Sequence, residues 1–203
     1  MELTAAIRRR HMTRSFRPDP LPAAALDDVL DLARRSPSAG NTAAVSWLVL
    51  DRPDDIARYW DVTLPAARRP TFRWQGLLRA PVLVVVVTEP DAYVARYAEP
   101  DKAATGLGGH QDRWRVPYWW VDAGMAAQNL LLLAADRGWG ACLFGPFEHE
   151  PDLRRAFDLP EGVRTVATIA LGFPDESDEP GRSAGRLRPP LDRVIHRGRW
   201  TRT

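Results

Sequence analysis

The residues with the clearest capacity for chemistry are basic, and they gather towards opposite ends of a 203-residue chain. Arg10, His11 and Arg14 stand near its start, Arg186 and Arg188 near its end. A phosphate carries close to two negative charges, and planar guanidinium groups bind it through paired hydrogen bonds. Two such clusters could converge on one phosphate. On composition alone, a solvated basic surface explains them equally well.

Several other chemistries are excluded. There is no Walker phosphate loop, no GxSxG elbow and no HExxH pair. The four histidines, His11, His110, His149 and His196, have no metal-ligand spacing, and His149 lies in a polar turn that suits a surface. Gly106-Leu107-Gly108-Gly109 follows no expected strand and opens no helix, which argues against a dinucleotide fingerprint. Cys142 is the only cysteine, so neither an intramolecular disulfide nor a zinc site of cysteines can form. Its short apolar strand marks it as a core thiol. Trp114, Trp119 and Trp120 have the rings to stack on a planar ligand, though packing is the commoner use of such residues.

The positioning elements centre on Tyr118 to Gly145. Trp119, Trp120, Ala123, Ala126, Ala127, Leu130, Leu131 and Ala134 recur at helical spacing, and Leu132 and Leu133 extend the apolar surface around the helix. Such a helix belongs in a core or an interface. Pro117 and Asp122 suit its start, Gly138 and Gly140 its stop, and 141–144 reads as a following strand. Upstream, Thr4 can cap a short helix through Arg10 with Ile7 inward. Helices are expected over 23–35, burying Leu26, Val29, Leu30 and Ala33, over 51–67, burying Ile56, Tyr59, Trp60, Thr63 and Leu64, and more briefly over 90–97 and 152–157. Strands are expected at 45–50, 81–88 and 165–171, the valine run of 81–88 being covered on both faces. Residues 99–116 lack periodicity and are expected to be a mobile loop with a lid or binding role. From residue 173 an extended arm carries Leu187, Leu191, Val194, Ile195 and Trp200, too apolar for a free tail, so it is expected to pack on the body or on a second subunit. Strands separated by helices indicate a layered α/β or α+β domain with no internal repeat.

A net charge of +2 is too small to indicate nucleic acid. Lys102 is the only lysine, so the positive charge is almost all arginine. The N-terminus has no apolar run ahead of a cleavage site, and the longest apolar runs are too short for a bilayer, so the cytoplasm is the expected location.

The order of the pieces resembles the FMN-dependent nitroreductase family. Residues 6–16, AIRRRHMTRSF, look like its opening AIxxRRSxRxF, and 36–41, SPSAGN, look like its APSxxN turn. Arg79-Ala80-Pro81 leads into the valine strand as in the family. Asp122 to Gly145 matches its long helix, stop and strand. Residues 170–174, ALGFP, resemble ALGYP, and 188–191, RPPL, resemble RxPL. No one motif is specific, but six in order span nearly the whole chain.

The resemblance implies an α+β fold, a mixed sheet flanked by helices, as one domain and an obligate homodimer with FMN at the subunit interface. It places Arg10, His11, Met12, Arg14, Pro37, Ser38, Ala39, Asn41, Phe144, Gly145, Arg186 and Arg188 at the cofactor. Arg10, Arg186 and Arg188 match phosphate ligands, and Arg14 the pyrimidine edge of the flavin. Pro37, Ser38 and Ala39 match a turn covering the ring from the partner, and Gly145 a backbone N–H at flavin N5. Arg73 aligns loosely with a flavin-edge position. The implied reaction is ping-pong transfer of electrons from NAD(P)H through FMN to a small oxidised substrate such as a nitroaromatic or quinone. The scaffold also serves flavin-dependent dehydrogenases or oxidases of peptide-like or heterocyclic substrates, and non-catalytic flavin binding is a further alternative. Two departures bear on this: the family's usual serine is Met12, and its usual Gln-Pro-Trp is Ala43-Ala44-Val45.

Overall fold

The computed structural model describes residues 1–200. Its centre is a four-stranded sheet in the order β1-β2-β4-β3, with β1 Val45–Leu50, β2 Val82–Thr88, β3 Gly140–Phe144 and β4 Arg164–Gly172. Every residue of β2 is buried. Its β-branched valines suit a pleated strand covered on both faces, and the helical layers follow from that. Each pairing is antiparallel, so the sheet is not the mixed one expected. All four strands lie close to their expected positions. A break in register between Val86 and Val87 marks a bulge against β4.

One face packs on α2, Ala23–Ala33, and α5, Tyr118–Asp136. Leu26, Val29, Leu30 and Ala33 of α2 are buried as their spacing requires. On α5, Trp119, Ala123, Ala126, Ala127, Leu130, Leu131 and Ala134 turn inward. Burying a Leu-sized side chain contributes about 1.5–3 kcal/mol, against a few tenths per residue from helix propensity, so packing decides where this helix lies. Trp120 does not join the buried stripe and is partly exposed. Gly138, at φ 73, ends the helix in a left-handed turn open to any conformation glycine allows. The other face packs on α3, Pro53–Thr63, and α6, Glu150–Ala156. Helix α3 is shorter than the expected 51–67, because Pro65 and a run of tight turns follow it.

Three further segments add detail to the expectations, and the first corrects one. Helix α1, Leu3–Arg9, has no side-chain cap from Thr4 and starts after Glu2. It buries Ala6, while Ile7 points to solvent, one residue round the helix from the expected face. The segment 99–116 after α4, Pro90–Ala98, carries two short 3-10 turns, and Trp114 anchors it in a cluster with Tyr93 and Trp119. The apolar residues of the arm do not pack on the chain's own body: Leu187 is 92 % exposed and Leu191 73 %.

Two buried groups carry pH and redox consequences. Burial pushes the Cys142 thiol above its ordinary value. Tyr59 lies under the sheet with its hydroxyl on Thr168 Oγ1 at 2.8 Å, and burial pushes its pKa up to about 12 from 10.0. The neutral phenol is favoured in the folded chain, so its stabilising effect is complete below pH 10 and is lost as pH rises towards 12. Tyr59→Phe is expected to flatten the fall in unfolding free energy over that window, measured by denaturant titration at successive pH values. An unchanged slope would remove Tyr59 from the account.

Candidate active site

The basic residues of the N-terminal motif follow α1 directly. Arg10 closes that helix through its N–H on Ala6 O at 2.9 Å. The chain then runs along β3: Thr13 N–H donates to Ala141 O at 2.9 Å, and Leu143 N–H donates to Met12 Sδ at 3.3 Å. Met12 thus replaces the hydroxyl expected at this position with a thioether that packs against both sides of the core and accepts a strand N–H. Arg10, His11, Met12 and Arg14 line a cavity of about 510 Å³, a size within the range of small-molecule sites.

The far wall of this cavity is the arm. Asp178 Oδ1 accepts from Arg14 N–H at 2.6 Å and Ser15 N–H at 3.0 Å, and its other oxygen lies 3.6 Å from His11 Nε2. Ser15 Oγ meets Ser177 Oγ at 2.9 Å and receives Arg79 Nη2 at 3.0 Å. Asp175 N–H donates to Ser15 O at 3.0 Å, and hydrogen bonds from Ser177 hold the Asp175 carboxyl below its usual range. No spacing or motif in the sequence marks this anchor. Ser183 and Ala184 complete the wall. The side chains of Arg186 and Arg188 are exposed outside it, so the structure does not bring the two basic clusters together on one point.

Trp74 is a second residue missed in the sequence. Its ring lies 5.1 Å from the Arg14 guanidinium and 4.5 Å from that of Arg73. Such contacts hold cations in place without neutralising them. Arg14 also donates from Nη1 to Met12 O at 3.0 Å. Phe144 stacks on Trp60 at 5.9 Å, and Gly145 leaves β3 beside it.

Pro37, Ser38, Ala39 and Asn41 are elsewhere. Their turn has left-handed φ at Gly40 and at Asn41, and it is tied by Ser38 Oγ accepting from Ala43 N–H at 2.9 Å. Asp122 accepts from Ala39 N–H at 2.8 Å and from Tyr93 OH at 2.9 Å. Read in the sequence as a helix-start residue, Asp122 is buried, with Oδ1 lacking a partner among the described residues. It fixes the turn at the start of α5, whereas Arg9, Arg10 and His11 line a small pocket with Leu131, Ala135 and Gly138 at its end. At 1.5 Å per residue, Asp122 and Gly138 are about 24 Å apart. Within one chain the turn is thus set near one end of α5 and the basic loop near the other.

The model of the nitroreductase family matches residues 7–173. The chain belongs to the nitroreductase family. A relative described as an NADH dehydrogenase, from Thermus thermophilus, is 27 % identical over 206 residues, covering 95 % of this chain and 93 % of its own. Among solved structures, the nitroreductase family protein of Streptococcus pneumoniae superposes with a TM-score of 0.72 at 19 % identity, covering 96 % of this chain and 99 % of its own. That of Clostridium difficile gives 0.69 at 17 % identity, with 98 % and 100 % covered. At these identities the superpositions establish the fold. Among the described residues, no group of His, Cys, Asp and Glu could hold a metal, and no helix is long and apolar enough to cross a membrane.

Asp178→Ala removes the acceptor of two backbone N–H groups in a carboxylate that is 13 % exposed. Hydrogen bonds to a charged group contribute about 1.5–3 kcal/mol, so a loss of that order is expected in denaturant unfolding. Trypsin should also cut faster at Arg182 and Arg186. Unchanged stability together with an unchanged cleavage rate would contradict the anchoring role.

Proposed function

We propose that this nitroreductase-family chain is an FMN-dependent NAD(P)H oxidoreductase that works as a homodimer and reduces a small oxidised acceptor, such as a nitroaromatic or quinone. The observation that carries this is the basic loop 10–14, docked along β3 on a cavity of small-molecule size. The donor set fits the cofactor. Arg10 and Arg14 offer cationic N–H groups, and His11 a ring nitrogen, to a phosphate or a flavin edge, while Asp178 turns one carboxylate oxygen away onto backbone N–H groups. Relatives described as an NADH dehydrogenase and as an NADPH-dependent oxidoreductase support the choice of donor.

When bound, FMN supplies the acceptance and release of electrons that no side chain here offers. The chain's part is to bind, orient and tune. Arg10, Arg186 and Arg188 would hold the phosphate, and His11 would contact the flavin beside it. Arg14, steadied by Met12 O and the Trp74 ring, sets a fixed positive charge at the pyrimidine edge. Gly145 would offer a backbone N–H at the end of β3, where its own lack of a side chain leaves room for the Phe147 ring. The separation along α5 supports a dimer, in which the turn at 37–41 would approach the site from a partner. The apolar arm residues and the outward Val121 and Leu132 of α5 are then available to the same interface.

Purified protein is expected to be yellow, to carry one FMN per chain and to sediment as a dimer. A colourless preparation that takes up no added FMN defeats the reading.

A cation preorganised where negative charge grows on reduction favours the reduced flavin. Arg14→Met keeps much of the length and packing but removes the charge. It is expected to lower the flavin reduction potential and slow reduction by NAD(P)H, with a smaller effect on the dissociation constant of oxidised FMN. If affinity falls while the potential stays put, Arg14 is a phosphate ligand instead.

A further inference from the structure

Among the described residues, four non-glycine residues have left-handed φ: Asn41, Ala43, Phe147 and Asp158. The first two belong to the turn region already described. Phe147 is the least expected of the four, since a bulky side chain at φ 43 crowds its own backbone. It gains nothing from the fold in return, because its ring is 83 % exposed, the most exposed aromatic side chain among the described residues. Strained conformations persist where the surroundings impose them, and they cluster at ligand sites.

The location of the ring is specific. A Cβ placed on Gly145 would stand 3.0 Å from two carbons of the Phe147 ring. The ring therefore lies against the bare backbone at the end of β3, on the side where residue 145 would carry a side chain and next to the N–H that the flavin reading uses. Pro146 stiffens the link between the two residues, and Phe147 opens a 3-10 turn whose backbone is closed by His149 N–H on Pro146 O at 2.9 Å. Glycine at position 145 and left-handed backbone at position 147 together set an aromatic face beside that backbone.

We propose that Phe147 is a specificity-determining residue of the acceptor site, where its ring stacks on flat aromatic acceptors and discriminates against saturated ones of equal charge. The proposal rests on the flavin reading above. Ring stacking contributes about 0.5–1.5 kcal/mol beyond area burial, which is up to about a tenfold change in affinity. An aliphatic residue at this place would lack that preference, and a polar one would leave the bare backbone beside it open to water.

The test uses the FMN-loaded dimer and two unreactive probes, benzoate and cyclohexanecarboxylate, titrated while the flavin absorbance is followed. In Phe147→Ala both probes lose apolar contact, and the benzoate dissociation constant is expected to rise more than that of cyclohexanecarboxylate, by up to about tenfold. Phe147→Tyr should restore benzoate binding. FMN affinity and dimer mass should match the parent in both variants. Independently of any flavin, Phe147→Gly should raise the thermal midpoint, since glycine relieves the left-handed backbone. Equal loss of both probes, or no loss of benzoate, overturns the stacking role. A Phe147→Ala chain that no longer dimerises shows instead that the partner covers the ring, and overturns it too. A parent that binds no FMN fails at the earlier step, before any variant is made.

Discussion

The complete burial of β2 is the constraint on which the rest of the structure depends. Seven consecutive residues in mid-sheet need cover on both faces, and a domain of this size provides it only as helices above and below. On one side that cover is α5, long enough to cross the sheet. Its length then fixes the separation between the turn that Asp122 holds at one end and the basic loop at the other. The placing of turn and basic loop at opposite ends of one helix thus originates in the packing of a valine strand.

Much of this was legible in the sequence because burial leaves a periodic trace. The valine run, the buried stripe of α2 and the glycine stop of α5 each appear as a pattern with a physical cause. Ile7 failed because α1 has only seven residues, too few for spacing to distinguish one apolar face from the next. The sheet's direction failed because periodicity says nothing about which strand lies beside which. Trp114 was read within a polar stretch with no periodicity, yet it packs against Tyr97 and Trp119, contacts that no local pattern encodes.

The candidate site divides along the same line. Arg10, His11, Met12 and Arg14 are consecutive or nearly so, and a motif of neighbours folds into neighbours. Asp178 and Trp74 join them from distances of more than a hundred and about sixty residues respectively. Their roles lie in a hydrogen bond to a backbone N–H and a ring beneath a guanidinium, neither of which leaves a spacing to read. Asp122 carried a legible position and an illegible role: an acidic residue early in a helix suits the dipole, but here burial turns it onto a distant turn.

Cys142 has a practical consequence for anyone studying motion in this molecule. It is the only thiol, it is 4 % exposed, and burial keeps it protonated beyond the ordinary range. Maleimides and spin-label reagents attack the thiolate and need access to it. The native chain is therefore a nearly silent background for thiol chemistry. A cysteine introduced on the exposed arm or in the segment 99–116 would react alone, with no need to remove the natural one from the core.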